Sequence, residues 1–412
     1  MRTDYVAIDN AFARVDGVLR RGAAADSRTV VVQTHPRWDS YTSAAAWPMA
    51  DLVAHGFDTF ACTNRYTNSA AGVDVSTLWE PLALDLAAAV QAMRERGYER
   101  VVLLGTSAGG PLVAFYQAVA ERGNAVFEPE RTLSGFRGFD LPLPPADALL
   151  LQSATAGPAL SFCIRLDGAV VDEADAARDP SLDLFAPANG FDPERGTGRY
   201  EPDFLRRYER AQAERMNRLI DSAQARLARI AETGRPFVDD DFVVIPGVRA
   251  YPAFVDLGIA HESSAPHELQ PGDRHEVIRS SRPVIATAAR DNRGRASGAT
   301  VHTLTSFLSY RAIRTDPERY DPSAVTPERF GVDMRSTNTS TTSSLEQVSV
   351  PLLITQGTAD IEAYVPAAEM NFNAAASADK RLVFIEHADH RMLGPRTRET
   401  HLDVVTGWLG SR

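Results

Sequence analysis

Six runs of strand length in this chain are apolar at nearly every position rather than at every second one: TVVVQT (29–34), DTFACT (58–63), RVVLLG (100–105), ALLLQS (148–153), PLLITQ (351–356) and RLVFIE (381–386). A strand that is apolar on both faces must be covered on both, and a parallel sheet sandwiched between helices provides that cover. Between the early runs the pattern becomes helical. AAAWPMADLVAHG (44–56) stops at Gly56, and LWEPLALDLAAAVQAMRERG (78–97) carries apolar residues at three- and four-residue steps before Gly97, a natural helix stop. Strand and helix in alternation predict an α/β fold with a mostly parallel, doubly wound sheet. Ahead of it, YVAIDNAFARVDGVLRRG (5–22) alternates around Asp16-Gly17, a dipeptide that predicts a hairpin turn and an antiparallel edge.

The alternation lapses between about 155 and 345, a stretch too long for one crossover between neighbouring strands. It predicts a largely helical domain, 156–344, inserted after the sixth strand of a core formed by 1–155 and 345–412. Within it, EPDFLRRYERAQAERMNRLIDSAQARLARIAETG predicts a long helix ending at Gly234, with Phe204, Tyr208, Met216, Leu219, Ile220, Leu227 and Ile230 on its apolar face. Charges of both signs cover the other side, so packing onto the rest of the insert explains this stripe better than a membrane surface does. The Ser/Thr-rich RSTNTSTTSSLE (335–346) reads as a loop returning to the sheet.

The run 100–104 leads into Gly105-Thr106-Ser107-Ala108-Gly109 and then into PLVAFYQAVAERG, a helical pattern. A sharp strand-to-helix turn of this kind lifts a serine hydroxyl off the sheet, and the helix that starts beneath it favours an oxyanion through its free N–H groups. A serine needs an imidazole to take its proton and a carboxylate to hold that imidazole in one tautomer. PLLITQ leads into Gly357-Thr358-Ala359-Asp360 and RLVFIE into His387-Ala388-Asp389-His390, both at carboxyl ends of strands, where open α/β sheets place their sites.

In its G-x-S-x-G, its G-x-x-D after the penultimate strand and its histidine after the last, the chain resembles the α/β-hydrolase superfamily over residues 1 to about 155 and 345–412. The resemblance implies a Ser107, Asp360, His390 triad, with the insert 156–344 as the cap (lid). It also marks two departures. His387 stands where the family commonly has a small residue, which makes His387 a competitor for His390; His401 reads as a helix-surface residue. HADH matches part of a zinc signature, but Ile385 stands in place of its first histidine, so no metal is expected. Glu362 and Asp389 are the alternatives to Asp360, which is favoured by its spacing after Gly357. The second departure is His35-Pro36-Arg37-Trp38, where many relatives have His-Gly: Pro36 has no N–H, so the oxyanion hole is expected to pair the Arg37 and Ala108 amides, with Trp38 as the alternative to Arg37. His35 is expected to brace that loop. Arg37 and Arg65 are candidates to hold a substrate carboxylate, and Trp38 and Tyr41 to form an apolar wall.

Together these residues point to a serine hydrolase acting on a small to medium ester-like acyl substrate through an acyl-enzyme, without a cofactor. A C–C bond or amide hydrolase, an acyltransferase and a non-catalytic binding relative stand as alternatives. The net charge of −11 speaks against nucleic acid as a partner. No segment approaches the length of an apolar membrane span and the start lacks a leader pattern, so a cytoplasmic location is expected, with a homodimer left open. Cys62 and Cys163 have no metal-ligand spacing and are expected in the core. Lys380 is the only lysine among 43 Lys and Arg residues, a bias that suggests GC-rich bacterial coding.

Overall fold

All six apolar runs form strands buried on both faces. The computed structural model describes residues 2–22, 27–37, 47–67, 75–128, 132–194, 197–233, 239–249, 263–271, 274–276, 297–319, 331–360 and 362–411. In chain order the strands are β1 (Arg2–Asp9), β2 (Arg14–Arg21), β3 (Thr29–Gln33), β4 (Asp58–Cys62), β5 (Arg100–Thr106), β6 (Ala148–Gln152), β7 (Phe191–Asp192), β8 (Thr197–Gly198), β9 (Phe242–Arg249), β10 (His267–Gln270), β11 (Arg274–Glu276), β12 (Ser297–Thr303), β13 (Leu352–Gly357) and β14 (Lys380–Ile385). Ten of them make one sheet in the order β1-β2-β4-β3-β5-β6-β13-β14-β10-β11. The pairs from β4 through β10 are parallel, and β1/β2, β2/β4 and β10/β11 are antiparallel.

Among the described residues the helices of five residues or more that bear on the site are α1 (Met49–Ala54), α2 (Leu82–Glu95), α3 (Gly109–Arg122), α4 (Pro158–Cys163), α5 (Pro202–Thr233), α6 (Thr341–Leu345), α7 (Val365–Ala374) and α8 (Pro395–Gly410). The strand residues divide between the two faces by the two-residue period of the pleat. Val30, Val32 and Leu103 pack with Leu86 and Val90 of α2 and Leu112 and Phe115 of α3. Val31, Val102 and Leu104 pack on the opposite face with Leu52 of α1 and Val405 and Trp408 of α8. Each fully buried aliphatic side chain in these layers contributes about 1.5–3 kcal/mol. Cys62 and Cys163 are buried free thiols in the core, and burial pushes both up to about 12, so neither is a thiolate near neutrality. Among the described residues no helix is long and apolar enough to cross a membrane.

The structure departs from the sequence expectations at four places. The hairpin turns at Asn10–Ala13, where the Asn10 side chain accepts from the Phe12 amide at 3.1 Å, while Asp16 and Gly17 lie inside β2 opposite Ala7 and Val6. Gly17 is needed there for close approach: a Cβ would meet the Phe60 ring at 2.6 Å. His401 is buried rather than on the surface, its Nε2 3.0 Å from Thr355 Oγ1 on the sheet, and burial lowers its pKa to about 3. The Ser/Thr-rich stretch is buried in part and forms α6, which packs on α3.

The fourth departure concerns the insert. Its long helix runs Pro202–Thr233 with Phe204, Tyr208, Met216, Leu219 and Ile220 buried, as expected, but β9 and β12 pair beside it as a two-stranded sheet, and β10 joins the core sheet. The edge of β14 offers a row of unpaired backbone groups, and β10 covers it in parallel, Glu268 opposite Val383. Arg381 Nε also donates to Glu268 Oε2 at 2.7 Å across that join. A second tie is Glu80, buried just before α2, which accepts from Ser309 and Asn338 at 2.5 and 2.7 Å.

Candidate active site

The turn after β5 is built from small residues because its neighbours leave no room for larger ones. A Cβ on Gly105 would lie 2.6 Å from Gly109 O, and one on Gly110 would lie 2.4 Å from the Ala154 side chain. Between these close approaches Ser107 takes φ 54°, a left-handed conformation that costs a non-glycine residue about 1–3 kcal/mol. Backbone bonds lock it there: Ser107 N donates to Gln152 O at 3.0 Å, and Gly110 N and Thr155 N donate to Ser107 O at 3.1 and 3.3 Å. Ala108 forms the N-cap of the 14-residue α3, so its amide belongs to the first turn, where N–H groups have no intrahelical acceptor.

His390 Nε2 stands 3.0 Å from Ser107 Oγ, and His390 Nδ1 stands 2.8 Å from Asp360 Oδ2. The three residues, separated by as many as 283 positions, thus form one hydrogen-bonded relay at the carboxyl ends of β5, β13 and β14. Asp360 is fully buried and held from both oxygens. Oδ1 accepts from the amides of Glu362 and Ala363 at 2.8 and 3.0 Å, and Oδ2 accepts from Gln356 Nε2 at 3.1 Å. Gln356 is anchored in turn on Ala363 O at 2.8 Å. Sequence reasoning missed this support, although a buried-strand run ending in a glutamine, PLLITQ, was its visible signal.

Burial works to lower the His390 pKa, but the hydrogen bond and charge of Asp360, helped by Glu362, outweigh it and leave the imidazole above its ordinary value. Glu362 Oε2 is 3.9 Å from His390 Nε2, on the serine-facing side of the ring, so it is not the carboxylate that orients Nδ1. Asp389 accepts from the Arg391 and Met392 amides at 3.1 and 2.8 Å and shapes the loop that carries His390. His387 faces solvent with its side chain 87% exposed, and its φ of 59° marks it as the turn residue of that loop. Strand order 1-2-4-3-5-6, a strained serine turn after the fifth strand, and an acid and a histidine after the last two parallel strands of the core all agree. This is the α/β-hydrolase fold.

No family model matches the chain, and no curated protein matches it. Solved structures do. The esterase domain from a Rhodothermus marinus protein is 12% identical at a TM-score of 0.41, covering 99% of this chain and 98% of that one. DcsB, in complex with its substrate analogue, is 12% identical at 0.47, covering 100% and 99%. A soluble variant of monoglyceride lipase from Saccharomyces cerevisiae, in complex with a substrate analogue, is 13% identical at 0.42, covering 98% and 94%. The α/β-hydrolase assignment stands on topology and the serine turn.

The rest of the expected site comes out differently. Trp38 and Tyr41 lie outside the described residues. The Arg37 amide donates to His35 Nδ1 at 3.2 Å, so of the two expected oxyanion donors it is Ala108 whose N–H the structure leaves without an acceptor among the described residues. His35 is buried and, chiefly through that burial, its pKa falls to about 3; the ring is neutral, with its proton on Nε2, and braces the loop as expected. Arg65, a candidate substrate anchor, is engaged with Asp85 in the structure. Its Nε and guanidinium NH2 meet Asp85 Oδ1 at 2.9 and 2.8 Å, and its amide meets Oδ2 at 2.9 Å, all on a carboxylate buried in α2. A cation so engaged balances the buried Asp85 carboxylate. Among the described residues no three His, Cys, Asp or Glu side chains come together as metal ligands.

Proposed function

We propose that this α/β-hydrolase-fold protein is a serine hydrolase that cleaves carboxylic esters of small to medium acyl groups. The observation that carries the reading is the continuous relay from Ser107 Oγ through His390 to Asp360, at 3.0 and 2.8 Å. In the acylation step Ser107 Oγ attacks the ester carbonyl while His390 Nε2 takes its proton, and Asp360 holds the Nδ1–H tautomer and balances the imidazolium. The tetrahedral oxyanion forms beside the Ala108 amide and the positive end of α3; one such donor typically supplies about 2.7–4 kcal/mol. His390 then returns the proton to the departing alcohol. Water, deprotonated by the same nitrogen, releases the acid and restores Ser107.

A fluorophosphonate probe tests this directly. It should label folded protein with a single adduct on Ser107, read by peptide mass mapping, and an unlabelled Ser107 in folded protein would favour a non-catalytic binding role.

His390 acts as a base only when neutral, so kcat/KM should rise with pH through a pKa above the free-imidazole value of about 6.5. Glu362 is one of the charges holding that pKa up. Glu362→Gln should therefore move the acid limb of the pH–rate profile to lower pH without changing its slope. A limb that stays in place, or moves up, would remove Glu362 from the electrostatics of the base.

A further inference from the structure

Near the end of β13 a glutamine stands where the pattern calls for an apolar residue. By the two-residue period of the pleat Leu352, Ile354 and Gln356 share one face of the strand, and the first two pack in the core. Gln356 is fully buried with them, too deep for a reactant to touch. A buried amide that leaves a polar atom unbonded is destabilising, yet Gln356 Oε1 is sealed from solvent and meets no donor among the described residues.

What offsets this lies at Nε2. Its two hydrogens face three acceptors, Ala363 O at 2.8 Å, Asp360 Oδ2 at 3.1 Å and Gly357 O at 3.2 Å. Turning the amide over would set Oε1 against three oxygens, so only one orientation fits. Backbone holds the other oxygen of Asp360, where Oδ1 accepts from the Glu362 and Ala363 amides at 2.8 and 3.0 Å. Oδ2 is held differently: it accepts from the Gln356 side chain and, at 2.8 Å, from His390 Nδ1. Whatever Gln356 does to that oxygen is passed to the base.

We propose that Gln356 is a positioning residue of the relay, its amide fixing the Asp360 oxygen that takes the His390 Nδ1–H and tempering the negative charge which that oxygen presents to the ring. This rests on the serine hydrolase reading for its effect on turnover, but not for its effect on His390. A carboxylate released from Nε2 gains freedom to turn, and the imidazole follows it out of line with Ser107 Oγ. A hydrogen bond donated to a carboxylate also draws on its charge. Without that bond Oδ2 holds the imidazolium more tightly, so His390 gives up its proton at higher pH. The other charged or titratable groups within reach of the ring are Glu362, Arg391 beside it in the chain and the neutral His35 after β3, and Tyr364 stands within reach of Asp360.

The test is Gln356→Met in the full chain, a side chain of similar length without a donor. The ring signals of the nine histidines, isotope-labelled, are followed against pH by nuclear magnetic resonance, with His390 identified by the signal lost in His390→Ala. In Gln356→Met the His390 midpoint should rise by about half a unit to one unit, the opposite sense to Glu362→Gln. With p-nitrophenyl butanoate kcat should fall about ten- to one-hundred-fold while KM stays within about two-fold, because the lost contact orients the base and does not bind substrate. The acid limb of kcat/KM should move up with the midpoint. A role in stability alone would lower the melting temperature and leave the titration in place, so a midpoint that stays or falls overturns the proposal, as does a loss confined to KM. If Gln356→Met does not fold, Gln356→Leu, shorter and also without a donor, is read in the same way. If the protein with Gln356 intact cleaves no ester, the hydrolase reading falls while the His390 titration still decides the role of Gln356.

Discussion

Ser107→Ala should reduce ester turnover by about 10⁴- to 10⁶-fold in kcat, the loss seen when the nucleophile of a triad is removed and only binding and the oxyanion donors remain. The fold should not notice. Alanine keeps the Cβ, so the strain at φ 54° is unchanged, and the amide bonds that fix this residue, from Ser107 N to Gln152 O and from Gly110 N to Ser107 O, belong to the backbone. Thermal unfolding followed by circular dichroism should therefore match the parent protein within a few degrees. Ester cleavage that continued at the parent rate would place the nucleophile elsewhere.

His390→Ala should cost about as much as loss of the serine, because residues that act as one unit are not additive. His387→Ala should change kcat by no more than a few-fold. The two histidines sit in one short loop and could not be separated by sequence alone; what separates them is that one imidazole is 3.0 Å from Ser107 Oγ while the other is 87% exposed. Steady-state kinetics on the two purified variants reads the difference directly. If His387→Ala proved the more damaging, the base would have to be reassigned.

The hydrogen-bonded set of Ser107, His390 and Asp360 was legible because each member follows a strand whose apolar run marks where the sheet ends, and because strand, turn and helix leave distinct periodicities around Ser107. Both helix stops read at Gly56 and Gly97 hold, each with φ above 90° in the structure. What remained hidden depends on contacts across the chain. Asp16-Gly17 has the composition of a turn, but Gly17 is required by the Phe60 ring, a partner 43 positions away that no local pattern reveals. His401 reads as polar and exposed until α8 is laid on β13. Arg65 was drawn to the site by its loop, whereas Asp85, invisible as a partner in an apolar helix pattern, claims it. The four-residue β10 is too short and too polar, HELQ, to announce itself as a strand; its register with β14 supplies the reason for it.

That added strand limits how the segment carrying it can move. A segment joined to the core only by its two ends could swing as one rigid piece, but here such a swing would tear Glu268, Leu269 and Gln270 from their places opposite Val383, Phe384 and Ile385 and part Glu268 from Arg381. Residues 267–270 are stitched into the sheet whose last strand carries the His390 loop, so their displacement would leave the β14 edge bare.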